Sequence, residues 1–240
     1  MRFRKTINYA IDREEILYSV YLGLGSITDW LDSTYDVDEA NRLLDEMGME
    51  KGSDGYRLSP SGKKFTLSIE FTPRAPDIEP VAELIAAMLE EVGIRTAVKN
   101  IEYALFYERM DANQLMGAIM WNEAIWYNII STWPMKRICR TGWWYWCKSG
   151  GTEDSGGEPP TEMKDIFKLA EGIASSKPQD EIMKFEEFKK NIKDNVWYFQ
   201  ILGKVKQPII ANAKLGNVDP KDSIWGIGLD FCGETFFFNE

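Results

Sequence analysis

At 240 residues, with 44% hydrophobic and 28% charged side chains, the chain has the make-up of a folded globular protein, either one large domain or two modest lobes. A net charge of −10 repels phosphate backbones and anionic bilayers, and no apolar run reaches the roughly 20 residues of a membrane helix, so nucleic acid and a membrane span are not expected. Histidine is absent, which removes the usual general base and the commonest metal ligand; with no P-loop, Cys-x-x-Cys or EF-hand spacing either, no cofactor and no metal are expected.

In chain order, Asp12 and Glu15 make a capping-box-like start, and Ile16, Val20 and Tyr21 follow at helical spacing, which predicts a helix over 12–22 ended by Gly23 and Gly25. Asp36 and Glu39 repeat the signal for a second helix whose apolar face is Ala40, Leu43, Leu44 and Met47, closed by Gly48. Two turn signals, Asp54-Gly55 and Ser59-Pro60-Ser61-Gly62, bracket a short run and predict a small hairpin. Phe65, Leu67, Ile69 and Phe71 then alternate with polar residues, the pattern of a strand with one covered face.

Asp77 is placed to cap the next helix, along which Ile78, Val81, Ala82, Ile85, Met88, Leu89 and Val92 recur at helical spacing until Gly93. Strand patterns at 94–100 and 117–121 enclose a helical one at 103–113, so the order is strand, helix, strand, helix, strand, the grammar of a mainly parallel sheet. Over 121–160 the periodicity disappears, and six of the nine tryptophans (Trp121, Trp126, Trp133, Trp143, Trp144 and Trp146) fall in that stretch. Helices at 161–174 and 179–195 and strand-like runs at 196–202 and 208–212 complete the pattern, before a tail ending Phe236-Phe237-Phe238. Cys139, Cys147 and Cys232 form no disulfide framework; Cys139 with Cys147 in one bridge and three reduced thiols are both open.

Three phrases carry a family resemblance. Phe3-Arg4-Lys5-Thr6-Ile7-Asn8-Tyr9-Ala10-Ile11-Asp12-Arg13-Glu14, the helix-like Tyr35-Asp36-Val37-Asp38-Glu39-Ala40-Asn41-Arg42-Leu43-Leu44-Asp45-Glu46-Met47-Gly48, and the helix-to-strand step over 83–98 that contains Glu91-Val92-Gly93-Ile94 occur in that order. Together they resemble the extracellular solute-binding proteins of ABC importers, family 5, the oligopeptide- and oligosaccharide-binding type. The resemblance implies an α/β, type II periplasmic-binding-protein-like lobe, with a mixed, mainly parallel sheet flanked by helices.

In that family these phrases fall in the second half of a chain about twice as long. Residues 1–240 are therefore expected to form a single C-terminal ligand-binding lobe, with 196–240 returning towards an N-terminal lobe that this sequence does not contain. No apolar leader follows Met1-Arg2-Phe3-Arg4-Lys5, in keeping with a piece of a longer protein. The nine residues between Gly25 and Tyr35 are fewer than the family's usual Pro-rich connection. Implied partners are an oligosaccharide or oligopeptide, the missing N-terminal lobe and the ABC permease subunits, in the periplasm or at the cell surface.

Solute capture needs a cleft with aromatic faces and a few placed polar groups. Trp121, Asn122 and Glu123 follow a predicted strand, where open α/β sheets bind ligands, and they fall at the family's Trp-x-x-Asp contact segment, with Glu123, one position nearer the tryptophan, standing for the aspartate. Trp126, Asn128, Trp133, Trp144 and Trp146 are the further candidates. The density of indoles favours oligosaccharides such as β-linked gluco- or manno-oligosaccharides, because rigid aromatic faces cover a pyranose at small entropic cost. Peptide binding is the alternative, with Glu123 paired to an ammonium; a lobe that binds nothing by itself is another. Any single tryptophan is more often packing than platform. Glu123 with Glu153, Asp154 or Glu158 also sketches a glycoside hydrolase, but acids are so abundant here that such pairs are unspecific, and a binder without catalysis is expected.

Overall fold

The computed structural model describes residues 1–27, 31–121, 140–153, 156–206, 212–216 and 237–238. Helix α1 (Arg2–Ala10) buries Thr6, Ile7, Asn8 and Ala10, and the chain turns at Ile11 in extended conformation. Asp12 then caps α2 (Arg13–Ser19), its carboxylate accepting from the amides of Glu14 and Glu15 at 2.9 and 3.0 Å. The helix ends three residues before the expected Leu22, which itself sits at φ 53°. Asp36 caps α3 (Val37–Glu46) in the same way through the Glu39 amide at 2.9 Å. Ala40, Leu43 and Leu44 are its buried face, and Gly48, at φ 71°, closes it as a left-handed residue that glycine adopts without strain.

The segment expected to be a hairpin forms two tight turns, closed by Gly52 N–H to Tyr56 O and Ser59 N–H to Lys63 O, both at 2.8 Å. It is held by Arg57, which is 4% exposed. The Arg57 guanidinium donates to Val92 O at 3.0 Å, Met49 O at 2.7 Å, Asn41 Oδ1 at 2.8 Å and Asp45 Oδ1 at 2.6 Å. One side chain thus ties the turns to the ends of two helices and satisfies terminal carbonyls that would otherwise be orphaned.

Strand β1 (Leu67–Phe71) lies between β2 (Thr96–Asn100) and β3 (Gly117–Ala118), parallel to both, with Ile69 opposite Val98 and Gly117. Helix α4 (Ile78–Glu91) connects β1 to β2, and α5 (Tyr103–Asp111) connects β2 to β3. Because β2 and β3 flank β1 on opposite sides, right-handed crossovers place the two helices on opposite faces. Leu67 and Ile69 accordingly pack with Val81, Ile85, Met88 and Leu89 of α4. The other face is covered too, contrary to the alternating pattern. Glu70 is 2% exposed and accepts from Arg109 of α5 at 3.0 Å, and Thr72 is also buried. An α/β fold with a parallel sheet flanked by helices is therefore present, as expected.

A second core is helical. Helix α6 (Thr141–Lys148), where sequence periodicity predicts only irregular chain, packs Trp143, Trp144 and Cys147 onto α7 (Thr161–Ala174) and α8 (Pro178–Asn195). Its run Gly-Trp-Trp-Tyr-Trp-Cys is apolar at successive positions, so it lacks the polar contrast from which a helical period is read. The expected strand at 196–202 is not one: Val196 turns out of α8 at φ 49°, and an isolated bridge follows only at Gly203, with Ser26. Arginines bond the chain here instead. Arg4 donates twice to the carbonyl of Asn195, the last residue of α8, at 3.1 and 3.0 Å, and Arg13 Nε donates to Gln200 O within the segment at 2.9 Å. Of the expected 208–212 run only Asn212 is described. The tail run forms β5 (Phe237–Phe238), antiparallel to β4 (Leu215–Gly216).

Arg57→Ala should lower the unfolding free energy by about 3 kcal/mol, because it strands the buried carbonyls of Val92 and Met49 and the half-buried Asn41 amide oxygen. Asp45→Asn should cost under about 1 kcal/mol, since the Asp45 side chain is 69% exposed. Urea denaturation of both variants checks the contrast, and equal losses would contradict it.

Candidate functional site

In a sheet ordered β2-β1-β3, the topological switch point lies at the carboxyl ends of β1 and β3, where open α/β folds hold their ligands. The chain leaves β1 through Thr72-Pro73-Arg74-Ala75-Pro76 into α4, and leaves β3 through Ile119 and Met120 to Trp121. The two exits meet at one carboxylate. Trp121 Nε1 donates to Asp77 Oδ2 at 2.7 Å, and the hydroxyl of Tyr21, just beyond α2, donates to the same oxygen at 2.6 Å. Trp121 is half-buried and packs against Phe71, Ile78 and Ala82, with Val98 and Ile119 alongside.

Asp77 does not cap α4, as its position suggests it should: its carboxylate accepts no helix amide. Its backbone is already helical, at φ −86° and ψ −17°, and of the two amides a capping side chain usually reaches, the second belongs to Pro80, which has no N–H. The carboxylate is left to the indole and the phenol. Tyr21 in turn stays protonated, because burial first, and the hydrogen bond to Asp77 and its negative charge second, push its pKa well above the ordinary 10.0.

The other described candidates lie elsewhere. Trp144 packs into the helical core and meets Tyr145 edge-on at 5.0 Å. Trp146 has the backbone of Gly151 against its ring, so close that a Cβ there would lie 3.1 Å from Cζ2, and the Lys164 ammonium stands 5.2 Å from the ring centre. Trp143 sits edge-on to Trp197, with the Arg140 guanidinium 5.5 Å above it. Trp121 therefore belongs to the sheet-end cluster, and Trp144 and Trp146 belong to the α6 region. Asn122, Glu123, Trp126, Asn128 and Trp133 lie outside the described residues.

Two acids of the hydrolase alternative are described: Glu153 is exposed, and Glu158 is exposed and ion-paired with Lys164. Glu123 and Asp154 lie outside the described residues, as do Cys139 and Cys232. Cys147 is a half-buried free thiol whose pKa burial raises. Sequence reasoning missed Arg74, an exposed cation at the carboxyl end of the central strand. It also missed the pairing of Tyr21 and Asp77 across 56 residues of chain. A lone arginine between two prolines, directly after a strand, was the available signal for the first; no local pattern encodes the second.

Residues 1–133 match the family model of the bacterial extracellular solute-binding proteins, family 5 (Middle). The chain belongs to that family. The matched span contains the whole parallel sheet, Asp77 and Trp121. Over 134 residues the chain is 28% identical to heme-binding protein A of Haemophilus influenzae, covering 50% of this chain and 23% of that protein. The solved oligopeptide-binding protein OppA is 26% identical, with a TM-score of 0.68, over 84% of this chain and 36% of its own. A mannohexaose-bound oligopeptide-binding protein of Thermotoga maritima, 19% identical with a TM-score of 0.64, shares the fold over 84% of this chain and 40% of its own. This family 5 chain thus spans about a quarter of the curated relative's length and under half of each solved one. Among its described residues, no helix is long and apolar enough to cross a membrane.

The Tyr21 phenol makes stability pH-dependent with a definite sign. Its folded pKa is raised, so its contribution is complete below the unfolded value of 10.0 and is lost as pH rises beyond it, because only the unfolded chain then releases the proton. Unfolding free energies measured between pH 9 and about 11.5 should fall, and Tyr21→Phe should fall less steeply over the same range. Parallel slopes would contradict the assignment.

Proposed function

We propose that this chain forms one wall of a solute cleft in the binding component of an ABC importer, working in the periplasm or at the cell surface. A second lobe closes over that wall, and the importer's permease subunits receive the solute. The carrying observation is Trp121: a half-buried indole at the carboxyl ends of two parallel strands, held by its edge through Nε1 to Asp77. An indole of fixed orientation suits the apolar C–H face of a pyranose, since little side-chain freedom remains to be lost when the sugar stacks. We therefore assign oligosaccharides, of the β-linked gluco or manno type, as the solute. Of the other predicted contacts, Asn122, Glu123, Trp126, Asn128 and Trp133 continue from Trp121 and belong to the same wall in this reading, while Trp144 and Trp146 lend it weaker support because protein groups already occupy them.

Binding without turnover fits the chemistry at this site. Histidine is absent, and the Asp77 oxygen facing Trp121 already accepts two hydrogen bonds, which suits it to holding side chains rather than moving protons. A second reading, short peptides, is favoured by one observation: exposed Arg74 at the end of β1 suits a peptide carboxylate. The resemblance to OppA supports it as well.

Calorimetric titration of the two-lobed protein with manno- and cello-oligosaccharides and with short peptides decides between them. Trp121→Ala should weaken oligosaccharide binding by ~1–3 kcal/mol, whereas Arg74→Ala should leave it within about 0.5 kcal/mol. Undiminished sugar affinity in the Trp121 variant would sink the proposal, peptide binding lost with Arg74 would establish the second reading, and release of reducing ends would show catalysis. The lobe alone is expected to bind these ligands weakly or not at all, as half a cleft desolvates only part of a solute.

A further inference from the structure

We infer that Asp77 is the positioning residue of the solute platform, holding Trp121 by the indole edge with Tyr21 as the second donor to the same carboxylate oxygen. The inference deepens the reading of Trp121 as a solute contact and rests on it.

Three observations converge. Asp77 stands at the N-cap of a 14-residue helix yet accepts none of its amides, so its side chain is committed elsewhere. Two donors from opposite ends of the chain's α/β region, Tyr21 and Trp121, converge on Oδ2 at 2.6 and 2.7 Å. Finally, β3 is only two residues long, and beyond Ile119, whose amide donates to Glu70 O at 3.1 Å, no ladder bond among the described residues holds Met120 or Trp121. The indole's orientation is therefore set from the side, by the carboxylate and by packing on Phe71 and Ile78, and not by the strand it follows.

This hold has a consequence for recognition. The indole N–H is already used, and the Tyr21 hydroxyl proton is used with it, so neither is available to a solute. Trp121 presents a ring to its ligand and not a donor. Selectivity at this point of the wall is for an apolar face, and polar discrimination falls to other side chains.

The test separates the hold from the platform. In the 15N-labelled chain, the Trp121 indole N–H is assigned by its disappearance in Trp121→Phe, and its exchange with solvent is followed by NMR. Asp77→Asn keeps an acceptor and should keep the slow exchange. Asp77→Ser offers a hydroxyl to cap α4 but is too short to reach the ring, and exchange should quicken at least about tenfold. In the two-lobed protein, titrated with mannohexaose and cellohexaose, Asp77→Ser should lose as much affinity as Trp121→Ala, and Asp77→Asn should restore binding to within about twofold of wild type. Should the serine variant fail to fold, the wild-type chain carries the test: a Trp121 indole N–H that exchanges as fast as that of free tryptophan would overturn the hold.

If Asp77→Ser frees the indole while affinity holds and Trp121→Ala still weakens binding, the positioning role is wrong and the platform survives. If Trp121→Ala leaves both sugars bound as before, the platform itself is wrong. Unchanged exchange in Asp77→Ser means that packing alone holds the ring, and the inference fails.

Discussion

Everything at the sheet end depends on β1 being covered on both faces and paired on both edges. A parallel strand in that position must satisfy its backbone from two neighbours and bury its side chains under two helices. Leu67, Ile69 and Phe71 meet that requirement by ordinary apolar packing under α4. Glu70 meets it differently, through Arg109 on α5, and the arrangement is costly: Glu70 Oε2 and Arg109 Nε are both buried without a hydrogen-bond partner among the described residues. A buried ion pair left partly unsatisfied stabilises little compared with apolar packing, but losing one partner is severe. The handedness of the crossovers sets which helix lies on which face, and the pair ties α5 to β1 on its side of the sheet.

Where regular ladders stop, buried and half-buried arginines take over. Arg57 closes the ends of α3 and α4, Arg13 joins the α1–α2 turn to residue 200, and Arg4 caps the carboxyl end of α8 while lying 4.4 Å above the Trp197 ring. The partners of Arg13 are carbonyls and the Asn8 side chain, with no carboxylate in hydrogen-bond contact; burial accordingly pulls its pKa down to about 10, with the more distant Asp32 opposing. It still carries its charge at neutral pH, because each of its nitrogens has an oxygen to donate to. A lysine could not reproduce this geometry, since a single ammonium cannot address carbonyls spread over three segments of chain.

This division explains what could be read from the residues alone. Caps at Asp12 and Asp36, the alternation from Leu67 to Phe71 and the apolar repeat of α4 are local signals, and each element appeared near its expected place. Helix α6 escaped because it is apolar on almost every side. The 196–202 run differs from its expected strand because its Val and aromatic content mimics one, while in the fold its Gln200 carbonyl is bonded by Arg13, far back in the chain. Asp77 was misjudged for a related reason: its local context says helix cap, and only the fold brings Tyr21 and Trp121 within reach. Of the predicted contact residues, the fold sets Trp121 at the switch point and gives Trp144 and Trp146 protein neighbours, a separation that tryptophan density along a sequence does not contain.

A wall of this kind has a thermodynamic reason to be rigid. A solute between two lobes must offset its own loss of freedom and the ordering of the lobes, so freedom left in the contact side chains reduces affinity directly. In the proposed cleft, holding an indole by its N–H removes that freedom before the solute arrives, at the expense of a hydrogen-bond donor that a polar ligand would otherwise use. The exchange favours ligands recognised by broad apolar faces and disfavours those recognised by a single acceptor. One fold can in this way serve different solutes: the sheet and its crossovers set where a side chain stands, and the residues around it decide what lies against it.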